Sequence, residues 1–467
     1  MFGKILIANR GAIAVRIART CERLGISTVA IHSDIEAESL HVQTCDEAVR
    51  VGGAPIAESY LNIDAILAAA QQCGAEAIHP GYGLLSENPD FARQVQDAGL
   101  TFIGPSPDSM ALFQDKLQSR ALATQAGVRV ASGSEEPLLD VEAAVVDAQA
   151  LGYPLILKAV CGSGGLGLQR IPDEDTLRKV FPICQSHARL VFGDERLFLE
   201  ELIDQPRHLE VQVLGDTQGD CVALGERESS LQRRYQKVIE ESPSPVFSAM
   251  HMGELKRTIL CDAALRVAKE AHYHSTGTAE FLMDAQGRFY FIEFNPMLQV
   301  EHAVTELCTG LDLVELQLLI AKGSPLPPEA VHAQTKGHAM EARIYAEDPS
   351  QDFLPQQGTI DALRFPIVAP GSLRVESGVS PGEEITPYYD ALLAKVITFS
   401  PTRHQALLTL DRVLAETVIR PLNTNIDFLR QLLADEAFRA GQFDTETVER
   451  VLKEVQDGGI TEAQRIS

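Results

Sequence analysis

The first 112 residues alternate short apolar runs with stretches of helical periodicity. "KILIAN" leads into "IAVRIARTCERLG", and "STVAIHS" is followed by "IDAILAAAQQCG". "AEAIHPG" then precedes "FARQVQDAG", and "LTFIGPS" closes the series. Runs of four to seven apolar residues suit buried strands, and the longer stretches repeat their apolar positions every three to four residues. This β-α-β-α rhythm predicts an open parallel sheet with helices on both faces. Ligands of such sheets collect at the carboxyl ends of the strands. The turn after the first strand, "ANRGAI", holds one glycine, so the G-x-G-x-x-G pattern of a dinucleotide-binding turn is absent there.

Between residues 113 and 330 the pattern gives a helix over "DKLQSRALATQAG", a strand at "LILKAV", a glycine-rich turn "CGSGGLGL", and further strands ending in a hairpin. From 331 to 447 the texture changes to short strands ("AMEARIYAE", "GTIDALRFP", "LLAKVITFS") and then a helical run after "PTRHQALLTL", which predicts a separate α+β piece. Residues 448–467 are polar and read as a frayed tail. The fold class expected is multidomain, α/β at the N-terminus and α+β beyond it, with domains at 1–112, 113–330 and 331–447.

Composition narrows the partners. Hydrophobic residues make up 45% of the 467 and charged residues 22%, as in a globular chain. A formal net charge of -25 opposes nucleic acid or an anionic membrane as a bulk partner. No apolar run reaches the roughly 18 residues of a membrane span. The opening "MFGKILIANRG" reads as a strand, not a signal peptide. Eight scattered cysteines with no C-x-x-C fit reduced thiols in the cytoplasm.

Three stretches carry chemistry. In "LILKAVCGSGGLGLQR", Lys158 ends a strand just before Gly162, Gly164, Gly165 and Gly167. Glycines let backbone N–H groups close around phosphate oxygens, and a lysine there reaches the same oxygens. No G-K-[ST] follows, so this is not a Walker loop. In "TAEFLMDAQGRFYFIEFN", a two-residue turn at Ala285 and Gln286 sets Glu280 opposite Phe291 and diagonal to Glu293. Glu280, Glu293 and Asn295 then share one face, an all-oxygen donor set suited to Mg²⁺ or Mn²⁺. In "ERESSLQRRYQKVIEESPSP", Arg227, Arg233, Arg234 and Lys237 concentrate cations in an acidic chain. A solvated charge run and a phosphate-handling cleft both remain open for it.

The order of motifs "IANRGAIAVRI", "DEAVRVG", "SYLNIDAI", "HPGYGLLSEN", "QDKLQSRALATQAGV", "QRRYQKVIEESP", "GTAEF", "FIEFNPMLQVEHAVTE", "GHAMEARIYAEDP", "FLPQQG", "YYDALLAKVI" and "NTNIDFL" resembles the biotin carboxylase component of acetyl-CoA and related acyl-CoA carboxylases. These enzymes belong to the ATP-grasp superfamily. The resemblance implies a central ATP-grasp domain with a mobile lid at about 131–203. The reaction implied is ATP-dependent carboxylation of carrier-borne biotin: bicarbonate attacks the γ-phosphate, and the carboxyphosphate formed supplies CO₂ to biotin N1. It implies ATP with two Mg²⁺ or Mn²⁺ ions, a biotin carboxyl carrier protein and a carboxyltransferase subunit on other chains, and a homodimer. The family's M-K-M biotinylation centre occurs nowhere in this sequence.

Matched residue by residue, the resemblance places Lys116 and Lys158 on the nucleotide phosphates. Glu200, Glu201 and Ile203 fall in the adenine-side hinge, His208 and Gln232 on the ribose side, and Leu422 against the adenine. Glu280 and Glu293 become metal ligands with Asn295 beside them. Lys237, Gln299, Val300 and Glu301 fall in the bicarbonate pocket, with Glu301 as general base. Arg343 matches the arginine that steadies the biotin enolate, and Tyr82 matches a biotin contact.

The chain departs from the family pattern around this site. Met297 stands where an arginine is expected in the bicarbonate pocket, and Leu166 and Leu168 replace an arginine and a methionine after the glycine loop. Glu228, Ser229 and Ser230 stand for D-C-S, Tyr235 for a histidine, and Glu201 for a lysine. Losing one charge-assisted bond costs roughly 1.5 to 3 kcal/mol, about 10- to 150-fold in affinity. Besides biotin carboxylation, two alternatives follow: an ATP-grasp ligase for a larger, more apolar carboxylate, with Met297, Leu166 and Leu168 lining its pocket, or a paralogue that binds and regulates without turnover.

Overall fold

The computed structural model describes residues 1–456 apart from 163, 164 and 166. Strands β1 (Lys4–Ile7), β2 (Ser27–Ser33), β3 (Glu47–Gly52), β4 (Ala77–His79) and β5 (Thr101–Phe102) make an all-parallel sheet in the order β3-β2-β1-β4-β5. Ile5 and Ile7 point into one core with Ile13 and Ile17 of helix α1 (Gly11–Leu24), while Leu6 and Ala8 point into another with Ile66 and Phe91. Apolar cover on both faces is why β1 reads as an unbroken apolar run. The strand order reverses between β1 and β4. There Asn9 Nδ2 donates to the carbonyls of Pro80 (2.6 Å) and Tyr82 (2.9 Å), fixing the loop that carries Tyr82.

A smaller layer follows. β6 (Leu155–Ala159), β7 (Gln169–Ile171) and β8 (Leu197–Glu201) form an antiparallel sheet in the order β7-β6-β8. Helices α2 (Val141–Leu151) and α3 (Glu174–Phe192) cover it with a core of its own, including Leu155, Leu157, Leu177, Phe181 and Leu199.

The largest sheet is antiparallel and eight-stranded. Its members are β9 (Arg207–Gly215), β10 (Cys221–Arg233), β11 (Gln236–Ser242), β12 (Ser275–Met283), β13 (Phe289–Asn295), β14 (His338–Tyr345), β15 (Leu373–Ser377) and β16 (Leu392–Ser400). They run in the order β13-β12-β9-β10-β11-β14-β16-β15. From the α+β piece expected after residue 331, β14, β15 and β16 extend the central sheet. On one face Leu209, Val211, Val213, Phe281 and Phe294 pack against Leu260 and Val267 of the helix Gly253–Glu270. The other face bears the charged residues described below.

Helix α4 (His302–Thr309) lies against β14 on the sheet. The tail expected to fray from 448 is ordered through helix α5 (Thr447–Gln456). Val448 and Val451 are buried there with Leu452 packed beside them, an i, i+3, i+4 apolar stripe within a polar sequence.

Candidate active site

Two irregularities of the central sheet assemble the site. The hairpin joining β12 and β13 turns through three residues, Ala285, Gln286 and Gly287, with Asp284 N–H donating to the Arg288 carbonyl and Gly287 at φ +72°. The two-residue turn expected from the sequence is thus wrong by one position. That change alone would set Glu280 opposite Ile292 and turn Glu293 to the other face. A β-bulge restores it: Phe281 pairs with Phe291, but the next pair is Glu280 with Glu293, so Ile292 is the extra residue. Glu280 and Glu293 lie directly opposite, not diagonal, and Asn295 on the same face donates from Nδ2 to Glu280 Oε1 at 2.7 Å.

The row continues inward, with Glu210 opposite Glu280 and Arg227 opposite Glu210. Carboxylates opposed on adjacent strands repel, so they need cations. Arg227, with no exposure, donates to Glu210 (2.5 Å), Gln212 (2.7 Å), Thr278 (2.9 Å) and Thr305 (3.1 Å). Lys237 enters through the second bulge: Leu231 pairs with Ile239 and Gln232 with Lys237, leaving Val238 over and turning Lys237 onto the charged face. Its Nζ reaches Glu210 (2.5 Å), Glu280 (2.8 Å) and Glu301 (2.7 Å). Burial opposes its charge, yet the three carboxylates hold the ammonium well above its ordinary pKa.

Glu301 sits fully buried at the N-terminus of α4, between Lys237 and Arg343, whose Nη2 donates to it at 3.0 Å. Burial pushes its carboxyl up, but Lys237, Arg343 and Arg227 outweigh that and keep it well below the usual carboxylate range. An ionised, dry carboxylate of this kind is a competent general base. Next to it, Lys395 pairs with Glu376 at 2.6 Å, donates to the Val300 carbonyl, and lies 5.8 Å from the centre of the Tyr82 ring. The Gln299 carbonyl is held by His302 Nδ1 at 2.8 Å. Tyr82, Gln299, Val300, Glu301 and Arg343 thus share one neighbourhood.

On the nucleotide side Lys116 pairs with Glu293, while Lys158 and Arg120 both pair with Glu200. His208 Nε2 lies 2.8 Å from Glu280 and its Nδ1 2.8 Å from Gln232 Nε2. Burial opposes charge on His208, and Glu280 overcomes it, raising the imidazole pKa. Ile203 forms an apolar ledge with Ala131, Tyr290 and Leu282, and Leu282 pairs with His208. Gly162 lines a cavity of about 280 Å³ with Lys116, Glu293, Asn295 and Glu87. Gly165 and Gly167 adopt φ +72° and +83°, which favour glycine. Gly164 and Leu166 lie outside the described residues.

Several expectations need correction. Leu422 does not join this group: it packs with Ile360, Leu363 and Ile385 in a cluster containing none of the other nucleotide-side residues. In the segment expected as the adenine-side hinge, the Glu200 side chain pairs with Lys158 and Arg120, and Glu201 is exposed with its N–H donating to the Ser132 carbonyl at 2.7 Å. Of the cationic run only Lys237 serves the open site. Arg227 is buried structure, Arg233 pairs with Glu347 and Arg234 with Asp352. Glu228 accepts from Arg207 (2.8 and 3.0 Å), and Ser230 Oγ accepts the His208 N–H (2.8 Å), so that departure supports the strand carrying His208.

Glu210, Glu240, Glu341 and Lys395 were missed from sequence. For Glu210 and Glu341 the signal is a polar residue at every second position of an apolar strand, as in "HLEVQV" and "AMEARI". Met297 faces the loop after β4, where its Sδ accepts from Ser86 Oγ at 3.1 Å and lies 3.5 Å from the Gly83 nitrogen.

Residues 1–110 match the family "Biotin carboxylase, N-terminal domain", 115–329 "Carbamoyl-phosphate synthase L chain, ATP binding domain", and 341–450 "Biotin carboxylase C-terminal domain". The biotin carboxylase of Halalkalibacterium halodurans is 47% identical over 453 residues, 97% of this chain and 98% of that one. The chain belongs to the biotin carboxylase family. It is also 45% identical to the propionyl-CoA carboxylase alpha chain of Mus musculus, covering 95% of this chain and 61% of that longer one.

Among solved structures, the biotin carboxylase domain dimer of Hydrogenobacter thermophilus 2-oxoglutarate carboxylase, with MgADP, ADP and bicarbonate, superposes at TM-score 0.93 with 42% identity, covering 97% of this chain and 99% of that one. Campylobacter jejuni biotin carboxylase in its β-γ-ATP complex gives 0.92 at 39% identity, covering 96% and 99%. The α/β and ATP-grasp architecture expected for a biotin carboxylase is the one the chain adopts.

Proposed function

We propose that this chain carboxylates biotin with bicarbonate at the expense of ATP, as a biotin carboxylase component of a larger carboxylase. The observation that carries this reading is Glu301, buried and ionised between Lys237 and Arg343, with Lys237 also tying it to the Glu280–Glu293 pair. One cation thus links the group that removes a proton to the groups that hold a metal. Glu280, Glu293 and Asn295 fit Mg²⁺, being hard oxygen donors gathered on one face, with Lys116 and Lys237 offsetting the carboxylate repulsion. Such an ion supplies charge neutralisation at phosphate oxygens. Mn²⁺ in place of Mg²⁺, and a second ion at Glu280 and Glu293, are part of the same proposal.

Lys116, Lys158 and the glycine turn hold the phosphates, Ile203 and Leu282 flank the base, and His208 and Gln232 face the ribose. Glu301 takes the proton from bicarbonate as its oxygen attacks the γ-phosphorus and ADP leaves. Carboxyphosphate then gives CO₂ and phosphate; the phosphate takes the proton of biotin N1, and the ureido enolate so formed, steadied by Arg343 beside Tyr82, takes up the CO₂ at N1. Release of ADP that depends on bicarbonate and rises with free biotin tests this; ATP binding without such stimulation contradicts it.

The relatives named as alpha chains support a multi-subunit carboxylase, in which carrier and carboxyltransferase partners on other polypeptides are part of this proposal, and the Hydrogenobacter dimer supports a homodimer. The domain division at 112, 330 and 447, with a lid over 131–203, is part of the same reading. So is a cytoplasmic setting, which eight unpaired cysteines support. No helix among the described residues is long and apolar enough to cross a membrane. Met297 favours one second reading, a ligase activating a larger, more apolar carboxylate, because its thioether stands where an anion needs a cation. A panel of carboxylic acids screened for ADP release decides between them.

A further inference from the structure

Behind Arg343 lies a pair of acids that the proposed chemistry does not use. β11 and β14 run antiparallel with Glu240 directly opposite Glu341, so both side chains share the charged face. Neither has any exposed surface. Among the described residues none of their four carboxylate oxygens has a hydrogen-bond partner. Two ionised carboxylates opposed in a dry sheet would be strongly unfavourable without cations of their own.

The available cations are unevenly shared. Arg343 Nη2 pairs with Glu240 as well as with Glu301. Lys395 stands 3.8 Å from Glu341 but 2.6 Å from Glu376, and also donates to the Val300 carbonyl. Glu240 is further faced by Lys237 from its own strand, by Glu301 from α4 and by Glu210 from β9. Glu341 is further faced by Arg343 from its own strand, Glu376 from β15 and Tyr82 from the loop after β4. Glu240 therefore has a close cation, and among the described residues Glu341 has none nearer than 3.8 Å.

We propose that Glu240 and Glu341 form a carboxyl pair in which Glu341 keeps its proton and ionised Glu240 anchors Arg343, giving the guanidinium a second fixed anion besides Glu301. Both are positioning residues, acting on the reaction through Arg343. The inference rests on the reading of Glu301 and Arg343 as acceptor-side groups. Burial, with Glu240 opposite, drives the Glu341 carboxyl well above its ordinary range. Burial and the Glu301 charge, opposed by Arg343, push Glu240 up to about 7.

Above pH 7 or so Glu240 is ionised and grips Arg343. As the pH falls through that value Glu240 takes a proton and the second anchor is lost, while Glu301 stays ionised. Biotin-dependent turnover falls with it.

Infrared difference spectroscopy of the unliganded protein tests the pair apart from any activity. A protonated carboxyl C=O band should persist well above neutral pH and vanish in Glu341→Gln; a wild-type spectrum without that band at alkaline pH overturns the proposal whether or not the variant folds. In kinetics, Glu240→Gln should lower biotin-dependent kcat roughly ten-fold with the KM for ATP unmoved, and should remove the acid limb near neutrality. Glu341→Gln should keep that limb. A wild-type pH profile in Glu240→Gln overturns the anchoring role. An alkaline carboxyl band in a protein without bicarbonate-dependent ADP release supports the pair and counts against the functional reading alone.

Discussion

The two halves of this site are built to different standards of charge matching. On the metal and nucleotide side the four strand carboxylates each have a cation: Glu293 has Lys116, Glu280 has Lys237 and His208, Glu200 has Lys158 and Arg120, and Glu210 has Arg227 and Lys237, while Glu87 beside Lys116 has no ion-pair partner among the described residues. On the acceptor side the position facing the Tyr82 loop carries Met297, an uncharged thioether held by Ser86 and close to the Gly83 nitrogen. A carboxylate-like substrate arriving there finds Lys237 and Arg343 already committed to Glu210, Glu280, Glu240 and Glu301. Lys116 and Lys158 are likewise paired, with Glu293 and Glu200, so the halves differ at the uncharged Met297, and affinity for the acceptor is where this chain should differ from its relatives.

That contrast can be broken at defined places. The largest effect is expected from Glu301→Gln, which removes the base while leaving the nucleotide residues in place: bicarbonate-dependent turnover should fall about 10²- to 10⁴-fold with ATP binding retained, read by steady-state kinetics and nucleotide titration. Met297→Arg should lower the KM for bicarbonate by roughly 10- to 100-fold with the KM for ATP unchanged; an unchanged bicarbonate KM means that Met297 does not limit the acceptor half. Glu293→Gln should raise the Mg²⁺ concentration needed for half-maximal turnover by about ten-fold or more without moving the bicarbonate KM, which Mg²⁺ titrations would check. Ser86→Ala, which frees the Met297 sulfur, should change the bicarbonate KM only about two- to five-fold.

Sequence carried β1, β2, β4 and β5 of the N-terminal sheet, because they are largely buried apolar runs between helices of clean periodicity, but not β3, whose residues are mostly exposed. It also put Glu280, Glu293 and Asn295 on one face, but by a route the structure replaces. The turn at Ala285, Gln286 and Gly287 is one residue longer than expected, and the bulge at Ile292 cancels the error. Nothing in "FYFIEFN" marks Ile292 as an unpaired residue, since a bulge is decided by the partner strand. The bulge at Val238 that turns Lys237 inward is equally silent. Long-range pairing explains the other differences: Arg227 looked like part of a solvated run until Glu210 and Gln212 came to lie beside it, and Leu422 found its apolar neighbours in a different cluster. Helix Thr447–Gln456 was legible in its stripe of valines and was passed over because the stretch is polar overall.

The central claim is that bicarbonate, not water, attacks ATP in this site. Turnover with oxygen-18 bicarbonate in unlabelled water, followed by mass analysis of the inorganic phosphate, tests it most directly. The account predicts that label passes from bicarbonate into phosphate as ADP forms. Phosphate carrying only oxygen from water would contradict it.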